Sequence, residues 1–413
     1  MIIERLEIHD YKGCLLTELE INQNLTALIG INGSGKTTIL SALNYLKESI
    51  SRSHFYHETF EGFSSETVII ATFSDDIGRI SLKTCIKSGF NNQIDEDITV
   101  STTLWKIPEV APKKWIDIPI ELIYKNLFEN IDVYEKKGRL INRFSFQKIR
   151  ELKKSLNNET LERLFNIANF IRSISYYSAT QFSDPTKSPV SVEIDERESI
   201  TSYRSYRNRN LHAAFIIDLY KLKKNEPNSF EAFINLIGMK GIGLIKTIEF
   251  DEVNFRSEEV KVKSAGKIST ETRLKTIVVP KILVDNNVLS FNQLSEGTLK
   301  TIALLFYITK ESGSFLLIEE PEVCVHHGLL SSIIEIIKNI SKEKQIIIST
   351  HSDFVIDKLA PENLLIVTKD EQKGITAKKL SKILSKNSYK ALHEYLNESG
   401  NLGEYWKEGG FDE

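Results

Sequence analysis

An apolar run from Leu25 to Ile29 meets Gly30-Ile31-Asn32-Gly33-Ser34-Gly35-Lys36-Thr37, and a helical run follows. The octet has the spacing G-x-x-x-x-G-K-[ST], and no other segment restricts the fold so tightly. Glycines in such a turn let backbone N–H groups close around phosphate oxygens, while the N-terminus of the next helix adds partial positive charge. In that geometry Lys36 reaches the β- and γ-phosphates of a nucleotide and the Thr37 hydroxyl binds magnesium. Gly30, Asn32, Gly33, Ser34, Gly35 and Thr38 complete the expected nucleotide-binding set.

Three further segments follow in a fixed order. Leu294-Ser295-Glu296-Gly297-Thr298 opens an amphipathic run from Leu299 to Ile308. Its small hydroxyl and glycine at a helix start, Ser295 and Gly297, suit an anion such as a γ-phosphate. Phe315-Leu316-Leu317-Ile318-Glu319-Glu320-Pro321-Glu322 reads as an apolar strand ending in acids. There Glu319 is placed to hold magnesium and Glu320 to polarise an attacking water. A second apolar strand, Gln345 to Ile348, ends in Ser349-Thr350-His351-Ser352. A histidine at such a strand end can hydrogen-bond a γ-phosphate and sense its loss.

Phosphate loop, LSEGT (like the LSGGQ signature), acidic strand and STHS histidine, in that order, resemble the ABC-type ATPases. Within them, the opening Met1-Ile2-Ile3-Glu4-Arg5-Leu6-Glu7-Ile8, the Gly30-Ile31-Asn32-Gly33 loop and Glu319-Glu320-Pro321-Glu322 with His326 look like the overcoming-lysogenisation-defect (OLD) branch. That branch is similar to the recombination ATPases of the RecF and SMC type. The likeness covers both ends of the chain, and the middle matches only loosely. It implies a head-to-tail homodimer, or a higher homo-oligomer, with ATP between the phosphate loop of one protomer and Ser295/Gly297 of the other. Hydrolysis then needs Lys36, Thr37, Glu319, Glu320 and His351 in cis and the signature in trans. The wider superfamily usually has Asp where this chain has Glu319, whose longer arm puts the hydrolysis rate in question.

Composition sets outer limits. The 413 residues suggest two or three lobes, and 41% apolar with 26% charged residues is ordinary for a globular protein. A net charge of −3 does not announce a nucleic-acid binder, although a basic patch can hide in a neutral total. Cys14, Cys85 and Cys324 lack metal-ligand spacing, which points to free thiols in a reducing cytoplasm. No opening segment resembles a signal peptide, and no apolar run approaches the ~20 residues needed to span a bilayer.

The expected fold class is α/β: an ABC-type P-loop head with an antiparallel β subdomain and an inserted, mainly helical lobe. Strands are read at Ile3 to His9, Leu15 to Ile21, Val68 to Phe73, Arg79 to Ile86 and Asp97 to Leu104. A helix is read from Lys36 to about Lys47, and a helical pattern from Glu121 to about Ser173. Two helices separated near Pro227 fill Arg207 to Ile237, with strands at Ile245 to Asn254 and Ile277 to Val284 before the signature. The resulting division is 1–110 for the first part of the head, 111–275 for the insert, and 276–413 for the rest. The strand-like Ser175 to Ser178 leads to Gln181. In ABC heads a glutamine at this place ligates magnesium, so Gln181 is either that ligand or a surface-loop glutamine.

Two stretches compete for a nucleic-acid reading. Lys136 to Lys154 interleaves eight basic residues with Phe144 and Phe146, and Tyr203 to Arg209 mixes tyrosine with arginine. Such residues neutralise phosphates and stack on bases, although a solvated helix face, an ion-paired core edge or a protein-partner surface explains them equally well. His326 and His327 read as capping or packing residues rather than metal ligands. Tyr405, Trp406 and Phe411 near the end are expected to dock on the chain or a partner.

The family likeness implies an ATP- and magnesium-dependent ATPase that regulates a separate effector in bacterial antiphage defence. Full-length OLD proteins carry a Toprim nuclease after the ATPase, and the stretch after His351 is too short for one. The layout therefore resembles the ATPase subunits of the PARIS and Septu systems, whose effectors are separate nucleases. A RecF-like DNA-binding repair ATPase is the alternative, and an ATP-binding scaffold with negligible turnover is a third.

Overall fold

The computed structural model describes residues 1–51, 63–91, 96–110, 114–118, 156–195, 210–262, 268–309, 314–323, 325, 327–398 and 400–411. Both basic stretches lie outside them (Lys136 to Lys154 and Tyr203 to Arg209), as do Cys324, His326 and the helical pattern from 121 to 155. Along the chain, β1 (Ile2–Tyr11), β2 (Cys14–Glu20), β3 (Leu25–Ile29) and α1 (Lys36–Ser51) precede β4 (Phe63–Ser74), β5 (Arg79–Asn91), β6 (Glu96–Lys106) and β7 (Ile116–Asp117). Then come α2 (Asn158–Arg172), β8 (Ser175–Ser178), β9 (Val192–Asp195), α3 (Leu211–Asn225) and α4 (Pro227–Ile237). A long hairpin, β10 (Thr247–Val262) and β11 (Ile268–Val284), is followed by β12 (Asn287–Leu289), α5 (Glu296–Thr309) and β13 (Phe315–Glu319). The chain ends with α6 (His327–Ile340), β14 (Gln345–Thr350), α7 (Asp353–Ile356), β15 (Leu364–Asp370), β16 (Gly374–Lys379), α8 (Leu380–Ile383), α9 (Lys386–Asn397) and α10 (Leu402–Lys407).

These elements form two compact units. The first comprises Met1–Tyr176, Glu311–Glu320 and Ile334–Glu413; the second comprises Tyr177–Lys310 and Pro321–Ile333. The first unit has an antiparallel sheet in the order β2-β1-β4-β5-β6-β7 and a sheet in the order β16-β15-β3-β14-β13-β8. In the latter, β13, β14, β3 and β15 run parallel, and β16 returns antiparallel along the edge. Every residue of β3 and β14 is buried, which fits a parallel sheet covered on both faces and explains their unbroken apolar runs. In contrast, β1 alternates, with Ile3, Leu6 and Ile8 buried and Glu4, Arg5 and Glu7 turned outward. One hydrophobic core draws on both sheets and on two helices. Ile39, Leu43 and Leu46 of α1 and Leu164 and Phe170 of α2 meet Phe315, Leu317 and Ile347 there.

Helix α2 starts where Asn157 accepts from the Thr160 N–H at 2.7 Å, an N-cap that satisfies one orphan donor. The buried side chain of Gln345 joins the two sheets. Its Oε1 accepts from the Ile3 N–H at 2.9 Å, and its Nε2 donates to the carbonyls of Ile3 at 2.8 Å and Asn22 at 2.9 Å. Near the end of the chain, α10 docks within the same unit. The Gly403 N–H donates to Asp357 Oδ1 at 2.6 Å, Lys407 pairs with Asp353, and Phe411 is buried beside Tyr405.

In the second unit, Asn210 caps α3 by accepting from the Ala213 N–H at 3.1 Å, and Pro227 opens α4 with no N–H to leave unpaired. Phe215 sits edge-on to both Phe291 and Phe306 in an aromatic core. Helix α5 differs from its amphipathic reading, because every residue from Leu299 to Ile308 is buried. Lys300 tolerates this by running its stem through the apolar layer and pairing its ammonium with Glu296 at 2.7 Å. The stretch 111–275 contributes α2, α3 and α4, and also β7, β8, β9, β10 and about half of β11. Among the described residues, no helix is long and apolar enough to cross a membrane.

Candidate functional site

Strand register brings distant segments to one edge of the parallel sheet. Thr350 pairs with Ile29, and Ser349 with both Leu28 and Glu319, so β3, β14 and β13 end together. The phosphate loop, Glu319, Glu320 and His351 all leave from those carboxyl ends, where ligands of open α/β sheets bind. The reason is local: each strand is an apolar run that polar residues terminate at the same level.

The loop needs its glycines. Gly35 has φ of +108°, and a Cβ there would lie 2.4 Å from Ile375 Cδ1. Gly33 has φ of +81° with open space around it, so only its backbone angle demands glycine. Lys36 is buried and curls back, donating from Nζ to the carbonyls of Gly30 at 2.7 Å and Ile31 at 3.1 Å. Among the described residues, Ser34 Oγ is buried without a hydrogen-bond partner, an unsatisfied group inside the cradle. Ser349 Oγ, on the strand that pairs with Glu319, is buried and likewise without a partner among the described residues. Orphan hydroxyls and a glycine-walled turn fit an oxygen-rich anion. Asn32 and Gly33 are exposed, and Thr38 lies in the first turn of α1.

Glu319 ends β13 with both carboxylate oxygens engaged. Oε1 accepts from the Thr37 hydroxyl, and Oε2 from Tyr176 Oη at 2.5 Å. With its proton directed at Glu319, the Thr37 oxygen still has lone pairs for a cation. Glu320, the next residue, has φ of +47°, a left-handed backbone uncommon outside glycine. Its N–H donates to the Ser349 carbonyl at 3.0 Å, and its carboxylate lies 3.3 Å from His351 Nδ1. A pairing bond and a strained backbone thus aim an acid at a histidine across the strand ends. Thr37, Glu319, Glu320 and His351 are therefore together, and Lys36 begins the adjoining helix.

Ser295, Gly297 and Gln181 lie in the second unit. The exposed Ser295 caps α5, with Oγ accepting from the Thr298 N–H at 3.1 Å. Gln181 falls in a short 3-10 turn, Ala179–Phe182. That turn is held by His212, whose ring hydrogen-bonds the Gln181 backbone and whose Nδ1 lies 2.7 Å from Ser188 Oγ. Burial depresses the His212 pKa and outweighs the bond to Gln181, which favours the charged form. Sequence reasoning missed Tyr176. Its strand was legible as Ser175 to Ser178, yet nothing local distinguishes Tyr176 from Tyr177. The latter instead donates to the Lys300 carbonyl at 2.8 Å in the second unit.

Among known proteins, the family described as the AAA ATPase domain matches residues 1–356. The DNA replication and repair protein RecF of a Nocardioides species is 39% identical over 46 residues, which is 11% of this chain and 11% of that protein. The SMC head domain from Thermotoga maritima is 14% identical with a TM-score of 0.41, covering 91% of this chain and 99% of its own. An Smc head domain from Pyrococcus furiosus, bound to the C-terminal domain of ScpA, is 12% identical with a TM-score of 0.44, covering 95% and 98%. The family match runs unbroken through the phosphate loop, Glu319, Glu320 and His351, and the chain belongs to the AAA ATPase domain family.

Proposed function

We propose that the chain is a magnesium-dependent ABC-type ATPase that regulates a separate effector. The observation that carries the ATPase reading is the convergence of Thr37, Glu319, Glu320 and His351 at the ends of three neighbouring strands, beside a buried, unsatisfied Ser34. Gly30, Asn32, Gly33, Ser34, Gly35 and Thr38 surround the phosphates, and Lys36 exchanges the Gly30 and Ile31 carbonyls for phosphate oxygens. Thr37 and Glu319 would hold a magnesium ion, with Gln181 as a further ligand, and the ion would supply positive charge to the phosphates. Glu320 takes a proton from the attacking water, and His351 hydrogen-bonds the γ-phosphate and registers its departure. Ser295 and Gly297 of a second protomer close over that phosphate, which makes the active form a head-to-tail homodimer or a larger homo-oligomer.

The division into a head at 1–110 and 276–413 with an insert at 111–275 belongs to the same reading. The order of motifs, with the OLD-like Glu319-Glu320-Pro321-Glu322 segment, supports a cytoplasmic sensor whose effector is a separate nuclease in antiphage defence. The short RecF match favours a second reading, a DNA-binding ATPase of recombination or repair. Light scattering with parallel phosphate release, on wild type and Glu320→Gln in magnesium and ATP, tests the site. The variant is expected to assemble on ATP and to lose turnover. Unchanged mass with equal turnover refutes both the general-base role and the trans signature. Salt-dependent binding to duplex DNA would favour the second reading over the first.

A further inference from the structure

We infer that Tyr176 is a positioning residue for Glu319, the acid assigned above to the magnesium ion; the inference rests on that nucleotide-site reading. A glutamate carries one more rotatable bond than an aspartate, so its carboxylate has more orientations to lose when it takes up a cation. Thr37 fixes only Oε1. The second oxygen, Oε2, is held by Tyr176 Oη at 2.5 Å. The phenol is the donor of this bond and the carboxylate oxygen its acceptor.

The phenol is itself fixed. Tyr176 lies on β8, beside β13 in the sheet order, and its ring packs on the hydrophobic core of the first unit. The hydroxyl therefore reaches Glu319 from a neighbouring strand rather than a loop. Two hydroxyls, one on each oxygen, orient the long arm and leave lone pairs on both oxygens for a cation. The shorter arm of an aspartate at 319 withdraws the carboxylate from Tyr176 by about one C–C bond, on the order of 1.5 Å. The tyrosine then has nothing to hold.

The test uses the full chain and its Tyr176→Phe, Glu319→Asp and doubly substituted variants. Affinity for Mn2+ in the presence of a non-hydrolysable ATP analogue is read by electron paramagnetic resonance. Affinity for the same analogue in EDTA is measured alongside. Tyr176→Phe keeps the ring and its packing, and is expected to weaken Mn2+ about tenfold, as loss of a hydrogen bond to a charged group does. Nucleotide affinity in EDTA stays at the wild-type value. In the Glu319→Asp background, Tyr176→Phe changes nothing further. Wild-type Mn2+ affinity in Tyr176→Phe overturns the inference alone, and so does an equal loss in both backgrounds or a parallel loss in EDTA. Absence of metal-dependent nucleotide binding in the wild type overturns the nucleotide-site reading and the inference with it.

Discussion

The backbone of Glu320 supports a prediction with opposite effects on stability and turnover. Its φ of +47° places a side-chain-bearing residue in the left-handed region, at a cost of about 1–2 kcal/mol for a residue other than glycine. Glycine removes that penalty and returns about 0.4–1 kcal/mol through its greater freedom in the unfolded chain. Glu320→Gln keeps the penalty and loses the charge facing His351, a partly exposed contact worth a few tenths of a kcal/mol, roughly. Glu320→Gly loses that contact too. Comparing the two variants therefore isolates the backbone term, and the glycine variant should be the more stable by up to about 1.6 kcal/mol. Urea unfolding without nucleotide, followed by tryptophan fluorescence, reads the difference, since Trp105 is fully buried in the core of the same unit. Both variants should lose turnover, because neither retains a carboxylate there. A glycine variant that unfolds at lower urea than the glutamine variant refutes the claim that this backbone is strained.

Other outcomes can be checked separately. Gly35→Ala should destabilise by about 2 kcal/mol, combining the positive φ with the approach of Ile375 Cδ1, and should abolish nucleotide binding in calorimetry. Gly33→Ala, with open space around it, should cost only about 1 kcal/mol. Arg163→Ala should cost about 3 kcal/mol in urea unfolding, chiefly because it strands the largely buried Asp75, whose carboxylate the guanidinium meets at 3.0 Å, while the exposed Glu109 at 2.9 Å adds little. Burial would push the Asp75 carboxyl up, but hydrogen bonds from Arg163 and the Gly78 and Ile77 N–H groups hold it below its ordinary 3.8. Its contribution is thus complete above that pH and fades as pH falls through the lower folded value, a loss that Arg163→Ala should reduce but not remove, because the Gly78 and Ile77 N–H bonds remain. Burial likewise holds His212 below its ordinary 6.5, so the second unit should lose stability as pH falls from 6.5. In His212→Gln, acid titration of unfolding should no longer show that limb.

Three of the parallel strands, β3, β13 and β14, and the phosphate loop were legible because burial on both faces demands unbroken apolar runs, and a phosphate turn demands glycine at fixed offsets; the fourth, β15, was not read. The two helices flanking Pro227 appeared where the proline and their apolar spacing placed them. Other features depend on distance along the chain. Tyr176 meets Glu319 across 143 positions, and no local pattern marks one tyrosine of a pair for a carboxylate. The left-handed backbone of Glu320 follows from its pairing with Ser349, not from its own preference. Helix α5 looked amphipathic because a lysine counts as polar in a pattern, whereas Lys300 spends its stem in the core and its charge on Glu296.

The side chain of Gln345 has a further consequence at the other end of its strand. It pairs with both the N–H and the carbonyl of Ile3 and so anchors the start of β14. Sliding that strand by one residue would strand these groups in the core and invert every side chain beyond them. His351 would then move by roughly 3.3 Å, a full strand step, and lose Glu320. A neutral amide with no chemistry of its own therefore acts as the zero mark of a ruler, and the histidine is read off its far end.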